Sequence, residues 1–416
     1  MSDTLLLYLP VPLHRKNGVL YLEDQACNGL RLWARHFDNL LIVQPLRAGP
    51  PPPNWVPVDA IGPALERIEF VTLPSAWRPL PFLTALPAAR RRIREAIGRA
   101  DLLGFAIGGL FGDWGSVAAW TAHGMGKPFY IWTDRVESEV LRRTAPSMPF
   151  RRRWRAKLET GPMAVMERAL IRRAALGLFH GRATFDAYAP YCRNPHLVHD
   201  IHLSRTDHIA PDAARAKPAA AAEGPLRIVY VGRADAMKGA HDWLDVLDAL
   251  AAQGVDFRAR WLGDGPELEA MRARVAGGRL AGLVDLPGFV GARAEVLAAL
   301  RDAHLMMFCH KTPESPRCLI EALASACPIV GYECAFSADL IARHGGGKLV
   351  ARDDVAALSR KVADLTRDRA ALGALITHAA RDGAGFDDDT VFAHRAEIIR
   401  AHLPRARPSP DQKRTA

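Results

Sequence analysis

The sequence predicts an α/β protein of two domains, each built on a parallel β-sheet. Short apolar runs of strand length alternate with longer segments whose apolar residues recur at helical spacing, which is typical of repeated strand–helix units. The 416 residues are enough for two full hydrophobic cores. Residues 206–225 mix alanine, proline and charge without periodicity, so we predict an interdomain linker between a first domain over 1–205 and a second over 226–385.

The composition excludes several classes of protein. With 49% hydrophobic and 24% charged residues the chain is globular, and no run approaches the ~20 apolar residues of a membrane span. Apolar residues 5–13 end in prolines and follow an acidic residue, which predicts a first strand and not a signal peptide. Six cysteines without a C-x-x-C pair indicate buried thiols in the cytoplasm and argue against a metal site. The net charge of +10 favours anionic partners.

In the first domain, apolar runs alternate with helical patterns in the order expected of a parallel sheet. Strands are predicted at 5–9, 40–44, 68–73, 102–107, 128–133 and 176–180. Helices are predicted at 22–37, 87–100, 115–123 and 164–175. The proline-rich residues 48–64 and the residues around 15–18 are predicted to be loops.

One acidic residue follows the strand at 128–133. Ligands of open α/β sheets bind beyond the carboxyl ends of the strands, so Asp134 is a candidate for contact with a substrate. The alternative is that Asp134 caps the next helix through its carboxylate. The sequence leaves both open.

Arginine is concentrated late in the first domain. Residues 150–157 place five cations around Trp154, and 164–175 add three arginines to an apolar helix face. This composition favours docking on anionic lipid headgroups. It would also suit nucleic acid, but no zinc finger, aromatic-rich sheet or recognition-helix pattern supports that partner, and we expect none. The alternative is that these arginines form a solvated helix face without a binding partner.

The second domain repeats the alternation of strands and helices. Strands are predicted at 226–231, 257–262, 284–286, 305–309, 327–332 and 348–350. Helices are predicted at 240–252, 267–275, 317–326, 338–344 and 355–365, with another at 392–403. The basic, proline-bearing residues 404–416 are predicted to be a disordered tail.

A phosphate-binding arrangement follows the first strand of this domain. Gly232 lets the backbone approach a ligand, while Arg233 and Lys238 can make bidentate and point-charge contacts with a diphosphate. The next strand ends in a turn at Gly263, which we assign to the same site. The alternative is a helix-entry turn with solvated charges.

The helix at 317–326 begins with signals for anion binding. Ser315 can cap it and Pro316 suits its first position, so the amides of Arg317 and Cys318 would attract a phosphate. Glu321 lies about one turn deeper on the same face. Its carboxylate can accept two hydrogen bonds from a vicinal diol such as a ribose.

These motifs resemble the donor site of the GT-B glycosyltransferases of family GT4, the group 1 glycosyl transferases. The arrangement Gly232-Arg233-x4-Lys238-Gly239 matches the family's diphosphate-binding pair residue by residue. Residues 287–290 resemble the element whose main chain reads the nucleotide base.

The two glutamates of the family motif are the weaker part of the resemblance. The family places them eight positions apart, whereas Glu314 and Glu321 are seven apart. Pro316 stands where the family usually has a glycine. Glu321 therefore corresponds directly to the second glutamate, and Glu314 corresponds to the first if the loop is one residue shorter.

The resemblance implies a GT-B fold, with two Rossmann-like domains facing across a cleft and a closing helix over 386–403 that crosses back to the first domain. It implies a retaining, hexosyltransferase-type enzyme that uses a UDP- or GDP-linked sugar and needs no metal or other cofactor. Base reading through the main chain leaves uracil and guanine undistinguished.

The resemblance also assigns the site. The catalytic residues would be Glu314, Arg233 and Lys238. The donor-binding residues would be Gly232, Arg233, Lys238, Gly263, Phe289, Val290, Ser315, Arg317, Cys318, Leu319 and Glu321. On the acceptor side we assign Asp134 and Gly18, the one glycine left of the family's first loop.

The implied partners are a nucleotide sugar and a glycan or lipid-linked acceptor, as in the synthesis of cell-surface polysaccharide or glycolipid. We expect a cytoplasmic protein, and the arginine-rich helix leaves open a peripheral contact with the inner face of the cell membrane. Two alternatives remain. One is a catalytically weak adaptor of the same fold that uses its basic face, and the other is a nucleotide-sugar epimerase, which would need more carboxylates around the sugar.

Overall fold

A computed structural model describes residues 3–53, 55–312 and 314–406. The chain forms two compact units. The first comprises the described residues of Met1–His202 and Asp389–Ala416, and the second comprises Leu203–Asp388. Within the described part of the chain, no helix combines the length and the hydrophobicity needed to cross a membrane.

The first unit contains ten strands and six of the longer helices among its described residues before residue 203. The strands are β1 Thr4–Tyr8, β2 Leu13–Lys16, β3 Val19–Glu23, β4 Asn39–Ala48, β5 Trp55–Pro57, β6 Ile68–Pro74, β7 Leu102–Ala106, β8 Tyr130–Thr133, β9 Leu176–His180 and β10 Pro195–Val198. The helices are α1 Asp24–His36, α2 Pro79–Gly98, α3 Trp114–Gly124, α4 Glu137–Thr144, α5 Phe150–Arg173 and α6 Gly181–Tyr188.

These strands form one sheet in the order β10-β9-β8-β7-β1-β4-β2-β3-β5, with β6 beside β4. Every pair is parallel except β2–β3 and β3–β5. Alternate residues of β1 enter two different hydrophobic clusters, Leu6 and Tyr8 in one and Leu5 and Leu7 in the other. The sheet is therefore covered on both faces, which is why its central strands are continuous apolar runs.

Two predicted loops of the first unit are correct only in part, because strands extend into both. The residues around 15–18 form the turn of the β2–β3 hairpin, where Asn17 and Gly18 have φ of 52° and 80°. This mirror-image turn suits the twist of paired strands, and the Asn-Gly pair is its usual signal. Residues 48–64 contain β5 and the start of a 3-10 helix, Val58–Arg67. Pro57 is tolerated in β5 because this strand lies at the sheet edge.

The second unit contains one fully parallel sheet in the order β13-β12-β11-β14-β15-β16. Its strands are β11 Leu226–Val231, β12 Phe257–Leu262, β13 Val284–Gly288, β14 Leu305–Phe308, β15 Ile329–Tyr332 and β16 Gly347–Val350. Its helices are α7 Pro211–Ala220, α8 Ala240–Ala252, α9 Leu268–Ala276, α10 Arg293–Asp302, α11 Arg317–Ala324, α12 Ala335–Leu340, α13 Val355–Arg367 and α14 Arg369–Gly383.

The stretch predicted as a linker, 206–225, contains helix α7 within the second unit. Lys217 of this helix is buried, and its ammonium group donates to the carbonyls of Leu300 at 3.2 Å and Ser325 at 3.0 Å. Burial lowers the pKa of Lys217 to about 8. The sequence did not predict this helix, because its buried residue is a lysine and it has no stripe of large apolar residues.

The last helix, α15 Asp388–His402, packs against the first unit. Arg395 forms an ion pair with Asp200 at 3.0 Å, and both side chains are buried. The guanidinium also lies 4.9 Å from the ring centres of Trp33 and Phe392. A cation held by a carboxylate and aromatic faces fixes this helix to the unit.

The tail predicted over 404–416 falls partly within the described residues. The amide of Ala406 donates to the carbonyl of Asp101 at 2.9 Å, and Arg405 pairs with Asp3. Residues 407–416 lie outside the described residues.

Replacement of Arg395 by leucine should destabilise the first unit by about 3–5 kcal/mol, because it removes the cation beside a buried carboxylate. Arg35→Leu is the matched control, since Arg35 pairs with Asp389 of the same helix but both side chains are 59% exposed. That change should cost less than about 1 kcal/mol. Urea unfolding followed by circular dichroism measures both. Similar small losses for the two variants would show that the Arg395 contact does not hold the helix.

Candidate active site

The site in the second unit forms where neighbouring strands end. Gly232 and Arg233 follow β11, Gly263 follows β12, and residues 309–316 follow β14. These three strands are adjacent and parallel, so their carboxyl ends lie at the same edge of the sheet. Ligands of open α/β sheets bind at such an edge.

Two glycines allow the loops of this edge to approach one another. A Cβ on Gly263 would lie 1.9 Å from the carbonyl oxygen of Gly232. Gly239 has φ of 67°, and a Cβ there would lie 2.0 Å from the carbonyl oxygen of Cys309. Any side chain at either position would push the adjoining backbone away.

The most prominent contact of the site joins two predicted catalytic residues. The ammonium group of Lys238 lies 2.6 Å from a carboxylate oxygen of Glu314. The two side chains are only 13% and 11% exposed. Because solvent screens such a pair weakly, each charge depends on the other for its stability.

Backbone contacts hold both ends of this pair in place. Lys238 is the last residue of a short 3-10 helix, Ala236–Lys238. Asp235 caps the start of this helix, because its carboxylate accepts a hydrogen bond from the amide of Met237 at 2.9 Å. The carbonyl of Met237 in turn accepts from the amide of Lys311 at 2.8 Å. The turn after β11 and the loop after β14 are thus directly linked.

A neutral hydrogen-bonded pair lies beside these charges. The Nε2 atom of His310 lies 2.8 Å from the hydroxyl of Tyr230, and both residues are buried. Burial lowers the pKa of His310 well below its usual value, and the Lys238 charge lowers it further. Burial also raises the pKa of Tyr230. Both groups are therefore uncharged near neutral pH, and Lys238 and Glu314 dominate the local charge.

Helix α11 begins at Arg317, as predicted, but its cap lies one residue later than predicted. Its cap is Pro316, in an extended conformation with φ −71° and ψ 119°, and no side chain caps it. The predicted cap by Ser315 is wrong, because Pro316 occupies the cap position directly before Arg317. The amide of Leu319 donates to the Pro316 carbonyl at 3.2 Å, and its side chain is fully buried. Leu319 therefore offers no side-chain contact to a donor.

Cys318 and Glu321 lie on the same helix in different surroundings. Burial raises the pKa of the Cys318 thiol to about 12, so this thiol stays protonated. One carboxylate oxygen of Glu321 lies 3.2 Å from Nη1 of Arg293 at the start of α10. Arg293 also lies 3.5 Å from a carboxylate oxygen of Asp207. Arg293 stands 28 residues from Glu321 and belongs to no motif, so the sequence did not predict this contact.

The predicted base-reading residues follow β13. Phe289 is 60% exposed and Val290 is half-buried. The preceding carbonyl, that of Gly288, accepts from the amide of Gly263 at 2.9 Å. This loop therefore adjoins the strand end that carries Gly263.

The two acceptor-side candidates lie in the first unit. Gly18 forms the hairpin turn described above. Asp134 follows β8, and its carbonyl accepts from the Thr184 hydroxyl at 3.3 Å. The alternative that Asp134 caps the next helix is wrong, since the cap of α4 is Val136. Nearby, Glu137 pairs with Arg135 at 2.8 Å, and burial raises the pKa of Glu137.

The buried carboxylate of Asp113, which was not predicted from the sequence, holds the loop between β7 and α3 in place. Asp113 accepts from the amides of Gly108 at 3.0 Å and Gly115 at 2.9 Å, and it caps α3. Burial raises its pKa. Because β7 and β8 are adjacent and parallel, this loop lies at the same sheet edge as Asp134. Among the described residues of the whole chain, no group of three His, Cys, Asp or Glu is placed to hold a metal ion.

A part of the second unit is similar in sequence to a known family. Residues 225–368 match the family glycosyl transferases group 1. The chain is 32% identical over 183 residues to WcaL of Salmonella typhimurium, which is assigned to colanic acid biosynthesis as a glycosyltransferase. That match covers 42% of this chain and 45% of WcaL, so the chain spans less than half the length of this relative. The predicted resemblance to group 1 glycosyl transferases is confirmed over this region.

Structure comparison covers nearly the whole chain. The fold resembles that of Anabaena HepE, crystallised with UDP, with a TM-score of 0.65, 17% identity and coverage of 96% of this chain and 100% of HepE. It also resembles WaaG, a glycosyltransferase involved in lipopolysaccharide biosynthesis, with a TM-score of 0.62, 12% identity and coverage of 95% and 99%. At these identities the likeness concerns the fold. The predicted GT-B class is confirmed.

Substitution of Gly239 by alanine should disturb the site far more than substitution of Gly254. The two glycines flank α8 with nearly the same φ, 67° and 69°, but a Cβ on Gly254 meets no atom within 4 Å. Gly254→Ala should therefore cost only the backbone strain, about 1–2 kcal/mol. Gly239→Ala must in addition move Cys309 and separate Lys238 from Glu314.

Urea unfolding and titration with UDP and GDP compare these two variants. We expect Gly239→Ala to lose more stability than Gly254→Ala and to weaken nucleotide binding, which Gly254→Ala leaves unchanged. Equal behaviour of the two variants would mean that the close approach of Gly239 to Cys309 does not shape the site.

Proposed function

We propose that this chain is a retaining glycosyltransferase that moves a sugar from a UDP- or GDP-linked donor to a glycan or lipid-linked acceptor without a metal ion. The observation that carries the proposal is the buried Lys238–Glu314 pair at the carboxyl edge of the second sheet. It lies within the region that matches the group 1 family. It also joins the two loops to which the donor motifs belong.

The leaving group of this reaction is a nucleoside diphosphate, on which negative charge develops as the glycosidic bond breaks. A fixed cation in a site closed to water stabilises such charge strongly, because the site need not reorganise during the reaction. Lys238 meets this requirement, as it is nearly buried and held by backbone contacts on both sides. Arg233, directly after β11, supplies a second cation at the same strand end. These two side chains take the role that a metal ion plays in other transferases.

Glu314 has a double role in this proposal. Without a ligand its carboxylate balances the charge of Lys238. A bound diphosphate competes for that ammonium group, since it brings more negative charge than one carboxylate. Glu314 then becomes available to the donor sugar, where a carboxylate can stabilise the positive character of the reacting carbon.

Glu321 binds the ribose of the donor in this proposal. Its carboxylate lies beside the Arg293 guanidinium. A carboxylate can accept hydrogen bonds from both hydroxyls of a diol. The contact with Arg293 is made by one carboxylate oxygen, Oε1, at 3.2 Å. Arg293 thereby orients Glu321 for the ribose.

The likeness to proteins of known role supports the choice of substrates. HepE was crystallised with UDP, which favours UDP over GDP as the carrier. WcaL is assigned to colanic acid biosynthesis, which favours a cell-surface polysaccharide or its lipid-linked precursor as the acceptor. All six cysteines are free thiols, which suits the reducing cytoplasm. We therefore propose action from the cytoplasmic side of the membrane.

Two conservative substitutions should separate the roles of the glutamates. Glu314→Gln frees the charge of Lys238, so UDP or GDP should bind as tightly as to the unaltered protein or more tightly, while turnover falls at least about ten-fold. Glu321→Gln should weaken nucleotide binding about ten-fold, because the ribose loses a charge-assisted contact. Calorimetry measures binding, and release of the nucleoside diphosphate from UDP- and GDP-linked hexoses measures turnover.

The outcomes discriminate between a glycosyltransferase, an epimerase and an adaptor. Weaker nucleotide binding in Glu314→Gln with unchanged turnover would contradict the assigned role of Glu314. Conversion of the donor sugar without release of nucleotide would indicate an epimerase. Failure of the unaltered protein to bind any nucleoside diphosphate would indicate an adaptor.

A further inference from the structure

Helix α5 carries large apolar side chains on the surface of the first unit, most of them in its N-terminal half. Phe150, Trp154, Leu158 and Val165 are 74%, 54%, 70% and 67% exposed. At about 100° per residue these four side chains fall within a sector of about 80°, so they lie on one side of the helix. We call these four residues the outer stripe.

The outer stripe is distinct from the face by which α5 packs on its own unit. The buried residues of the helix, Ala156, Met163, Glu167, Leu170 and Ile171, point to the opposite side. Only Ala156 is buried between residues 150 and 162. Residues 150–162 of the helix therefore contribute little to the hydrophobic core, and the side chains of the outer stripe are exposed on the surface of the unit.

Cations border the outer stripe on both sides. Helical geometry places Arg151 and Arg155 along one border and Arg153 and Lys157 along the other. The ammonium group of Lys157 lies 5.8 Å from the ring centre of Trp154. The acidic neighbour in this half of the helix, Glu159, pairs with Arg155 at 2.7 Å, so the balance of charge is strongly positive.

We propose that the outer stripe docks the protein on an anionic lipid bilayer, with the apolar side chains among the acyl chains and the bordering cations at the phosphate headgroups. A helix lying in a membrane interface has this division into an apolar face and basic borders. Trp154 is the residue type most favoured at that depth. The surface belongs to the first unit and operates whether or not the second unit binds a nucleotide.

The cations beside the outer stripe favour an anionic bilayer over a second copy of the chain or nucleic acid as its partner. A second copy of the chain, paired stripe to stripe, would bring two sets of like cations together. Nucleic acid would satisfy the cations but would leave Phe150, Leu158 and Val165 exposed to water or to phosphates. An anionic membrane satisfies both the apolar stripe and its cationic borders.

Co-sedimentation of the full chain with lipid vesicles tests this inference without any sugar donor. The probes are vesicles of phosphatidylcholine alone and of phosphatidylcholine mixed with phosphatidylglycerol. We expect binding to the anionic vesicles that is at least about ten-fold tighter than to the neutral ones and that weakens with salt, because headgroup attraction is screened.

Paired variants identify the surface that binds. Trp154→Ser with Leu158→Ser, and separately Arg151→Ser with Arg153→Ser, should each weaken binding to anionic vesicles at least about ten-fold. Val19→Ser is the control for exposed apolar surface, and Arg258→Ser with Arg260→Ser is the control for loss of two exposed cations. Both controls should bind as the unaltered protein does.

Circular dichroism and UDP or GDP titration check that each variant remains folded. Equal binding to neutral and anionic vesicles would overturn the inference, as would full binding by the stripe variant. Dimerisation that disappears in the stripe variant, with no vesicle binding, would assign the stripe to a second copy of the chain. Vesicle binding in the absence of nucleotide binding would overturn the proposed function and leave the docking surface intact.

Discussion

The buried contact between Lys238 and Glu314 is the interaction on which the candidate site depends. Separation of the two groups would leave a charge without a partner where water has little access, so the pair resists being pulled apart. It joins the turn after β11 to the loop after β14, and the backbone contact between Lys311 and Met237 reinforces the connection. Although the two glutamates are seven positions apart, the loop after β14 thus brings Glu314 to Lys238.

The same pair connects donor binding with the proposed chemistry. A diphosphate that reaches Lys238 must displace or share it with Glu314, so the arrival of the leaving group alters the surroundings of the carboxylate that would face the sugar. His310 and Tyr230 stay uncharged beside the pair, and therefore do not offset this exchange. The site can respond to its substrate with a single change of ionic partner.

The sequence predicted the parts of this structure that depend on neighbouring residues. The strands could be predicted because both faces of a parallel sheet are covered, which makes each strand a continuous apolar run. The Gly232-Arg233-x4-Lys238 motif could be predicted because all of its residues follow one strand. Contacts between residues far apart in the sequence could not be predicted. The pairs Arg293–Glu321 and Arg395–Asp200 join separate elements, and α7 is stabilised by a buried lysine. The cap of α11 was missed by one residue, since Ser315 and Pro316 are both common at helix starts.

Calorimetric titration with UDP, GDP, uridine and guanosine, on the unaltered protein and on Lys238→Ala, tests the central claim most directly. The account predicts that at least one diphosphate binds, that its nucleoside binds more weakly, and that Lys238→Ala reduces diphosphate affinity about ten-fold or more while nucleoside affinity stays unchanged, as a charge-assisted phosphate contact requires. If neither diphosphate binds the unaltered protein, or if the substitution weakens nucleoside and diphosphate equally, Lys238 is not a phosphate ligand and the account is contradicted.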